Sequence, residues 1–254
     1  LLLALAACRP GKSYRAERYD VDVAVQPDGS ATVTETVSFA FRTGPFTYVF
    51  REIPLARTDG IEGVMVYEEG EAFTPGDGPG QYQVQRKPQA VRVTWHFSPT
   101  ENSARTFVLA YRVKGLIRQE GTQDALRWGA LPREHDYGIT TAQVVVRLPE
   151  QVGPVAGAQV LAGRGQVGVL GRQVSFLAEQ VERDQPLTIG IWFPHGQLRG
   201  VPPAWQEREM AQAERAPLWV ALAALIVGAG AVGGIWSWRR HGRVRVPGAA
   251  GVVT

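Results

Sequence analysis

Between Tyr19 and Phe193 apolar side chains recur at every second position, a spacing that turns one face of a strand to a core and the other to water. Val21, Val23 and Val25 alternate with Asp20, Asp22 and Ala24, and Val33, Val37, Phe39 and Phe41 alternate with Thr32, Thr34, Thr36 and Ser38. Pro27-Asp28-Gly29-Ser30 lies between the two runs and supplies turn chemistry, so Tyr19 to Phe41 is expected to be a hairpin. Further runs follow at Val91 to Phe97, Phe107 to Val113, Val144 to Leu148 and Leu187 to Phe193, with shorter ones near Phe46 to Ile53, Ile61 to Tyr67, Tyr82 to Val84, Leu126 to Trp128 and Val174 to Phe176. No stretch in this range carries a convincing 3.6-residue period. The expected fold class is therefore all-β: largely antiparallel strands in two sheets that close on each other as a β-sandwich over residues 19–196. Gly70 to Gly80, dense in Gly and Pro, is expected to be a flexible loop.

The second constraint is a run of 22 residues, Pro217 to Trp238, without a charge. As a helix it is about 33 Å long at 1.5 Å per residue, enough for a hydrocarbon core of about 30 Å, and it is expected to be a single transmembrane helix. Trp219 near one end and Trp236 and Trp238 at the other are expected to act as interfacial anchors. Arg239, Arg240, Arg243 and Arg245 follow, against only Arg208 and Arg215 before the run, so the positive-inside rule places the C-terminus in the cytoplasm and residues 9–216 outside. Gly228, Gly230, Gly233 and Gly234 make a small-residue patch that suits helix-mediated self-association. At the other end, Leu1 to Cys8 reads as the close of a signal peptide whose Leu5-Ala6-Ala7-Cys8 resembles a lipobox, with Cys8 as the lipidated residue. An ordinary cleaved secretory signal is the alternative. The expected layout is thus signal 1–8, linker 9–18, exported domain 19–196, linker and short polar helix 197–216, membrane span 217–238, and a basic cytoplasmic tail 239–254 whose ending leaves room for a longer region.

Composition narrows the function classes. Twenty-seven Lys and Arg stand against 24 Asp and Glu, and the excess forms no single basic face, which argues against nucleic-acid binding. One cysteine permits no internal disulfide. Gly163-Arg164-Gly165-Gln166-Val167-Gly168 matches G-x-G-x-x-G, but the residues after it look like strand and turn where a nucleotide site needs a helix N-terminus. His96, His135, His195 and His241 show no metal-ligand spacing, and Arg133-Glu134-His135-Asp136-Tyr137 places acids beside a histidine with no nucleophile motif. No catalytic, cofactor-binding or metal residue is therefore assigned, and no cofactor is expected. Glu35 is the anomaly, since it shares the inward parity of Val33, Val37 and Phe39. A carboxylate there needs a partner, and Arg51, on the parity of Val49 and Ile53, is the candidate for a structural ion pair, unless a bulge turns Glu35 outward.

The stretch YDVDVAVQPDGSATVTETVSFAF at Tyr19 to Phe41, then Phe50-Arg51-Glu52-Ile53-Pro54, Tyr111-Arg112-Val113-Lys114-Gly115 and Leu126-Arg127-Trp128, resembles the DUF2207 family of predicted membrane proteins. The resemblance covers about Ser13 to Phe193. It implies a signal, an exported domain and a following membrane helix, and supplies no catalytic residues. Together these readings lead to a single-pass protein of the cytoplasmic membrane, expected to be non-enzymatic, whose exported domain binds or organises a protein partner in the envelope while the chain itself contacts the lipid bilayer. The competing expectation is an accessory subunit of a transport or envelope-processing system, or an enzyme with an unrecognised site.

Overall fold

In the computed structural model, residues 11–199 and 202–241 are described, the side chains of 215–225 and 241 falling outside that set. The first hairpin pairs β1 (Ser13–Val25) with β2 (Ala31–Thr43). Its turn follows from local chemistry: Gly29 takes φ +77°, a region that penalises a Cβ, and Asp28 Oδ1 accepts hydrogen bonds from the Ser30 backbone N–H at 3.0 Å and the Ser30 hydroxyl at 2.6 Å. The strands that follow are β3 (Phe46–Pro54), β4 (Gly60–Glu68), β5 (Glu71–Ala72), β6 (Thr74–Pro75), β7 (Gln81–Arg86), β8 (Ala90–Thr100), β9 (Ser103–Lys114), β10 (Ile117–Glu120), β11 (Gln123–Gly129), β12 (Ile139–Arg147), β13 (Gly157–Ala162), β14 (Gln166–Leu170), β15 (Gln173–Val181) and β16 (Thr188–Pro194).

Among the described residues these form three sheets where two were expected: β14-β15-β12-β1-β2-β9-β4-β5, β10-β11-β16-β13 and β3-β8-β7-β6. Pairing is antiparallel except for β1 with β12 and β6 with β7. The parallel pair escapes the alternation rule because β12 returns to β1 after the whole excursion through β3 to β11, so no hairpin sets its direction. One contiguous core takes side chains from all three sheets. Phe41 and Phe107 of the eight-stranded sheet meet Phe97 and Trp95 of β8, with ring centroids 5.5 and 5.9 Å apart for Phe41–Phe97 and Trp95–Phe107.

Two glycine-rich segments show what their composition serves, and the first departs from expectation. Gly70 to Gly80 is tied down: Phe73 N–H donates to Val66 O, Thr74 N–H to Gly80 O and Gly76 N–H to Tyr82 O, so its glycines serve turns between short strands and not a free loop. The G-x-G-x-x-G stretch runs from β13 into β14, and no helix follows. A Cβ on Gly163 would sit 2.2 Å from Pro186 O and one on Gly165 2.9 Å from Leu177 O, which explains the glycines by close backbone approach.

After Pro202-Pro203 the chain enters α1 (Ala204–His241), one helix through both the expected polar stalk and the expected membrane span. By compactness the chain divides after Gln206. The first turn of α1 belongs to the β unit and is capped from afar: Asp59 accepts from Ala204 N–H at 2.9 Å and Trp205 N–H at 3.0 Å. Trp205 Nε1 donates to Gly115 O at 2.7 Å, and the Gln206 amide exchanges hydrogen bonds with the backbone of Gln119 at 2.9 and 2.7 Å. Asp59→Ala is expected to cost about 1 kcal/mol at this end. Hydrogen exchange at Ala204 and Trp205 checks it: their amides should exchange about fivefold faster, with β1 and β2 unchanged.

Among the described residues no helix is long and apolar enough to cross a membrane. The uncharged run from Pro217 has its first side chains outside the described set, and the remainder, 226–238, is too short to span alone. Cys8, Arg243 and Arg245 lie outside the described residues.

Candidate functional site

Two opposite faces of β3 define the region with the most unusual chemistry. Inward, Arg51 meets Glu35 of β2, with side chains 3% and 1% exposed. Arg51 Nε donates to both carboxylate oxygens, at 3.1 and 2.9 Å, while Nη1 donates to Glu52 O at 2.8 Å. Tyr19 donates its hydroxyl to Glu35 Oε2, and Tyr111 donates to Oε1 at 2.5 Å. Register explains the convergence. Val37 pairs with Tyr19 on β1 and Val33 with Tyr111 on β9, so the two tyrosines flank Glu35 diagonally from both neighbouring strands. Burial, then the Glu35 charge, holds both phenols well above their usual value. Burial also pushes Tyr137 up. This sealed cluster has the anatomy of a structural joint between two sheets and no route for a substrate.

Outward, β3 is the edge of its sheet and presents Tyr48, Phe50 and Glu52. The register lines them up as rows across β8 and β7: Tyr48 with His96 and Gln81, Phe50 with Thr94 and Gln83, Glu52 with Arg92 and Gln85. Tyr48 and His96 rings lie 5.9 Å apart, and the Arg92 guanidinium stands 4.0 Å over the Phe50 ring. Glu52 takes Lys87 at 2.5 Å and Arg92 at 2.9 Å, and the Lys87 hydrogen bond holds its carboxyl below the usual range. Tyr48 and Phe50 remain 53% and 47% exposed. The face therefore combines two open aromatic rings with an ionic row in which Glu52 holds two cations and one positive charge is left over.

Beside it, a cleft of about 280 Å³ separates β3 from the 132–137 loop. His135 is buried there, with Nδ1 2.7 Å from Tyr137 O and Nε2 3.0 Å from Gln185 O, so both ring nitrogens are occupied by backbone. Asp136 accepts from the Tyr14 hydroxyl at 2.5 Å, and burial together with that contact raises the phenol. Asp136 thus ties the loop to β1, and His135 ties it to its own backbone and to Gln185. A second acid–histidine pair, invisible in sequence because its members are 71 residues apart, joins His195 Nδ1 to the buried Asp124 at 2.7 Å. His195 N–H also donates to Thr122 O at 3.1 Å, so this pair fastens the segment after β16 onto β11. Among the described residues no group of three or more His, Cys, Asp or Glu side chains is placed to hold a metal.

Of the residues singled out from sequence, the structure brings Glu35 and Arg51 together. Trp236 and Trp238 lie exposed near the end of α1, with the Arg240 guanidinium 4.8 Å from the Trp236 ring and Arg239 beside it. The Trp219 side chain falls outside the described set. The aromatic face of β3 was missed, although Tyr48 and Phe50 on the polar parity of a strand were the signal for it.

A family model described as "Predicted membrane protein (DUF2207) N-terminal domain" matches residues 15–196. Comparison with curated proteins gives no match. Among solved structures, yeast LTA4 hydrolase in complex with bestatin is 10% identical with a TM-score of 0.47, covering 70% of this chain and 28% of its own. A putative protease from Parabacteroides distasonis is 12% identical with a TM-score of 0.39, covering 70% and 40%. An M1 zinc metallopeptidase from Deinococcus radiodurans is 13% identical with a TM-score of 0.41, covering 70% and 42%. The chain spans less than half the length of each, and at such scores neither fold nor activity carries across.

Proposed function

The chain belongs to the DUF2207 family of predicted membrane proteins, and from that premise we propose that it is a non-enzymatic, membrane-anchored module whose β-sandwich faces outward and holds a protein partner in the envelope. The uncharged run 217–238 supports the anchor, and the arginines after it support the orientation. Cys8, when lipidated, sets the position of the domain against the bilayer more than its residence there. The observation that carries the binding role is the outer face of β3: Tyr48 and Phe50 exposed side by side, beside a Glu52 already held by Lys87 and Arg92. Exposed aromatics of this kind are the usual energetic centre of a protein contact. The neighbouring cleft supports binding over catalysis, because both ring nitrogens of His135 face backbone carbonyls and Asp136 Oδ1 is taken by the Tyr14 hydroxyl.

The test places a photo-reactive amino acid at position 48 or 50 of the full chain in membranes, with Thr32, exposed on β2, as the control. Irradiation is expected to give a discrete cross-linked product from 48 and 50 and none from 32. Equal labelling at all three positions, or protease added to intact cells failing to reach the β domain, sinks the reading.

A further inference from the structure

Sheet edges expose unpaired backbone groups, and proteins blunt them with charge, proline or short strands. Four of the six edges here follow that rule. β5 and β6 have two residues each, β6 ending in Pro75; β10 carries Arg118 and Glu120; β3 carries Arg51 and Glu52 and ends in Pro54. The exceptions are consecutive: β13 (Gly157-Ala158-Gln159-Val160-Leu161-Ala162) and β14 (Gln166-Val167-Gly168-Val169-Leu170) contain neither charge nor proline.

On β14 the apolar side chains are also uncovered. Val167 and Val169 pair with Phe176 and Val174 of β15, both fully buried, and so share the core-facing parity, yet they are 39% and 53% exposed. Leu170, on the other face, is 80% exposed, with Leu177 beside that face at 37%. The core layer therefore continues one strand past its cover. No strand pairs with the outer edge of β14 among the described residues.

We propose that this edge is a β-augmentation site that takes one extended segment of a partner protein, carrying alternating apolar residues and an acidic residue beside Arg172. The free backbone row selects an extended strand, since only that geometry satisfies it, and the open valines select alternating apolar side chains. Charge sets the end. The turn Gly171-Arg172 closes the β14–β15 hairpin over an open cleft of about 510 Å³ lined by Arg147, Leu148, Val152, Leu170 and Arg172 and holding no acid. Arg147 pairs with Asp22, whereas Arg172 has no ionic partner among the described residues. At the opposite end Arg164 already shares a cleft with Glu179 and Glu182. Charge also disfavours a second copy of this chain, because two β14 strands paired antiparallel about Gly168 would set Arg164 of each against Arg172 of the other.

The site is independent of the β3 face, and so is its test. The full chain in detergent micelles is titrated with a labelled synthetic peptide of alternating threonine and valine closed by two aspartates, and with the same peptide closed by two lysines. The aspartate peptide is expected to bind at least tenfold tighter and to protect the amides of 166–170 from hydrogen exchange. The paired substitutions Val167→Lys and Val169→Lys, at solvent-exposed positions, are expected to weaken it tenfold or more. Arg172→Glu, at the hairpin tip, is expected to reverse the preference between peptides. Equal binding of both peptides, protection elsewhere than β14, or no binding overturns the proposal. So does concentration-dependent protection of β14 without peptide, with a doubled mass, which assigns the edge to a second copy.

Discussion

Arg51→Met is expected to lower the melting temperature of the detergent-solubilised chain by about 10 °C, the largest single-substitution effect in the β domain. Removing one partner of a buried ion pair costs about 3 to 5 kcal/mol, because the other charge is left without compensation. Each kcal/mol is worth about 2 to 4 °C in a domain of this size. Here the stranded group is Glu35, 1% exposed, with only the Tyr19 and Tyr111 hydroxyls left to it. Methionine keeps the apolar length of arginine, so lost packing is a small part of the change. The double variant Glu35→Gln/Arg51→Met, which removes both charges, is expected to recover at least half of the loss, and the coupling in that cycle separates the ion pair from repacking. Tyr111→Phe is expected to cost less, about 1 to 2 kcal/mol, since the carboxylate keeps Arg51 and Tyr19. Near-UV circular dichroism on heating reads all three, and a shift under about 2 °C for Arg51→Met removes the cluster from the list of what holds the sheets together.

The inward direction of Glu35 was legible from parity alone, because β2 alternates without interruption from Ala31 to Phe39. The partners beyond Arg51 were not. Tyr19 and Tyr111 reach the carboxylate only through the β1–β2–β9 register, and pairing β9 with β2 is a long-range fact that no local pattern carries. The same limit explains the sheets. Strand existence follows from alternation, yet the division into three sheets and the parallel entry of β12 depend on which edge a returning strand finds. Composition misled at Gly70 to Gly80, where glycine serves ordered turns, whereas the strand-and-turn reading of 163–168 matches the structure, with glycine at 163 and 165 allowing close backbone approach. Distant capping was likewise out of reach, since Asp59 and the start of α1 are 145 residues apart. The open face of β3 was within reach, as two aromatic residues on the polar parity of a strand have no core to fill. The bare edge at β14 required the topology, because a short uncharged strand is a hazard only when nothing lies beside it.

Raising the pH should unfold the β domain in one step between about pH 11 and 12, with the buried phenols of Tyr19, Tyr111 and Tyr137 ionising only as structure is lost. Tyr19, Tyr111 and Tyr137 are buried, and their phenols are held above the usual value of about 10, by burial first and by the Glu35 charge as well. An unfolded chain releases those protons near pH 10, whereas the folded chain keeps them. Above that pH the native state binds more protons than the unfolded one, so the stability contributed by the neutral phenols is complete below about 10 and drains as pH climbs toward the folded values. Each tyrosine still protonated in the folded chain removes about 1.4 kcal/mol per pH unit, so Tyr14, Tyr19, Tyr111 and Tyr137, all raised, together remove about 6 kcal/mol for each unit above 10. That is comparable to the whole stability of a domain, about 5 to 15 kcal/mol. Tyr137→Phe, which removes one titrating phenol without touching the Glu35 hydrogen bonds, should flatten the alkaline fall in stability by about a quarter. Absorbance reaching the value for all seven tyrosinates while near-UV circular dichroism stays intact would mean that the buried phenols are open to solvent, and the sealed joint beneath β3 would have to be abandoned.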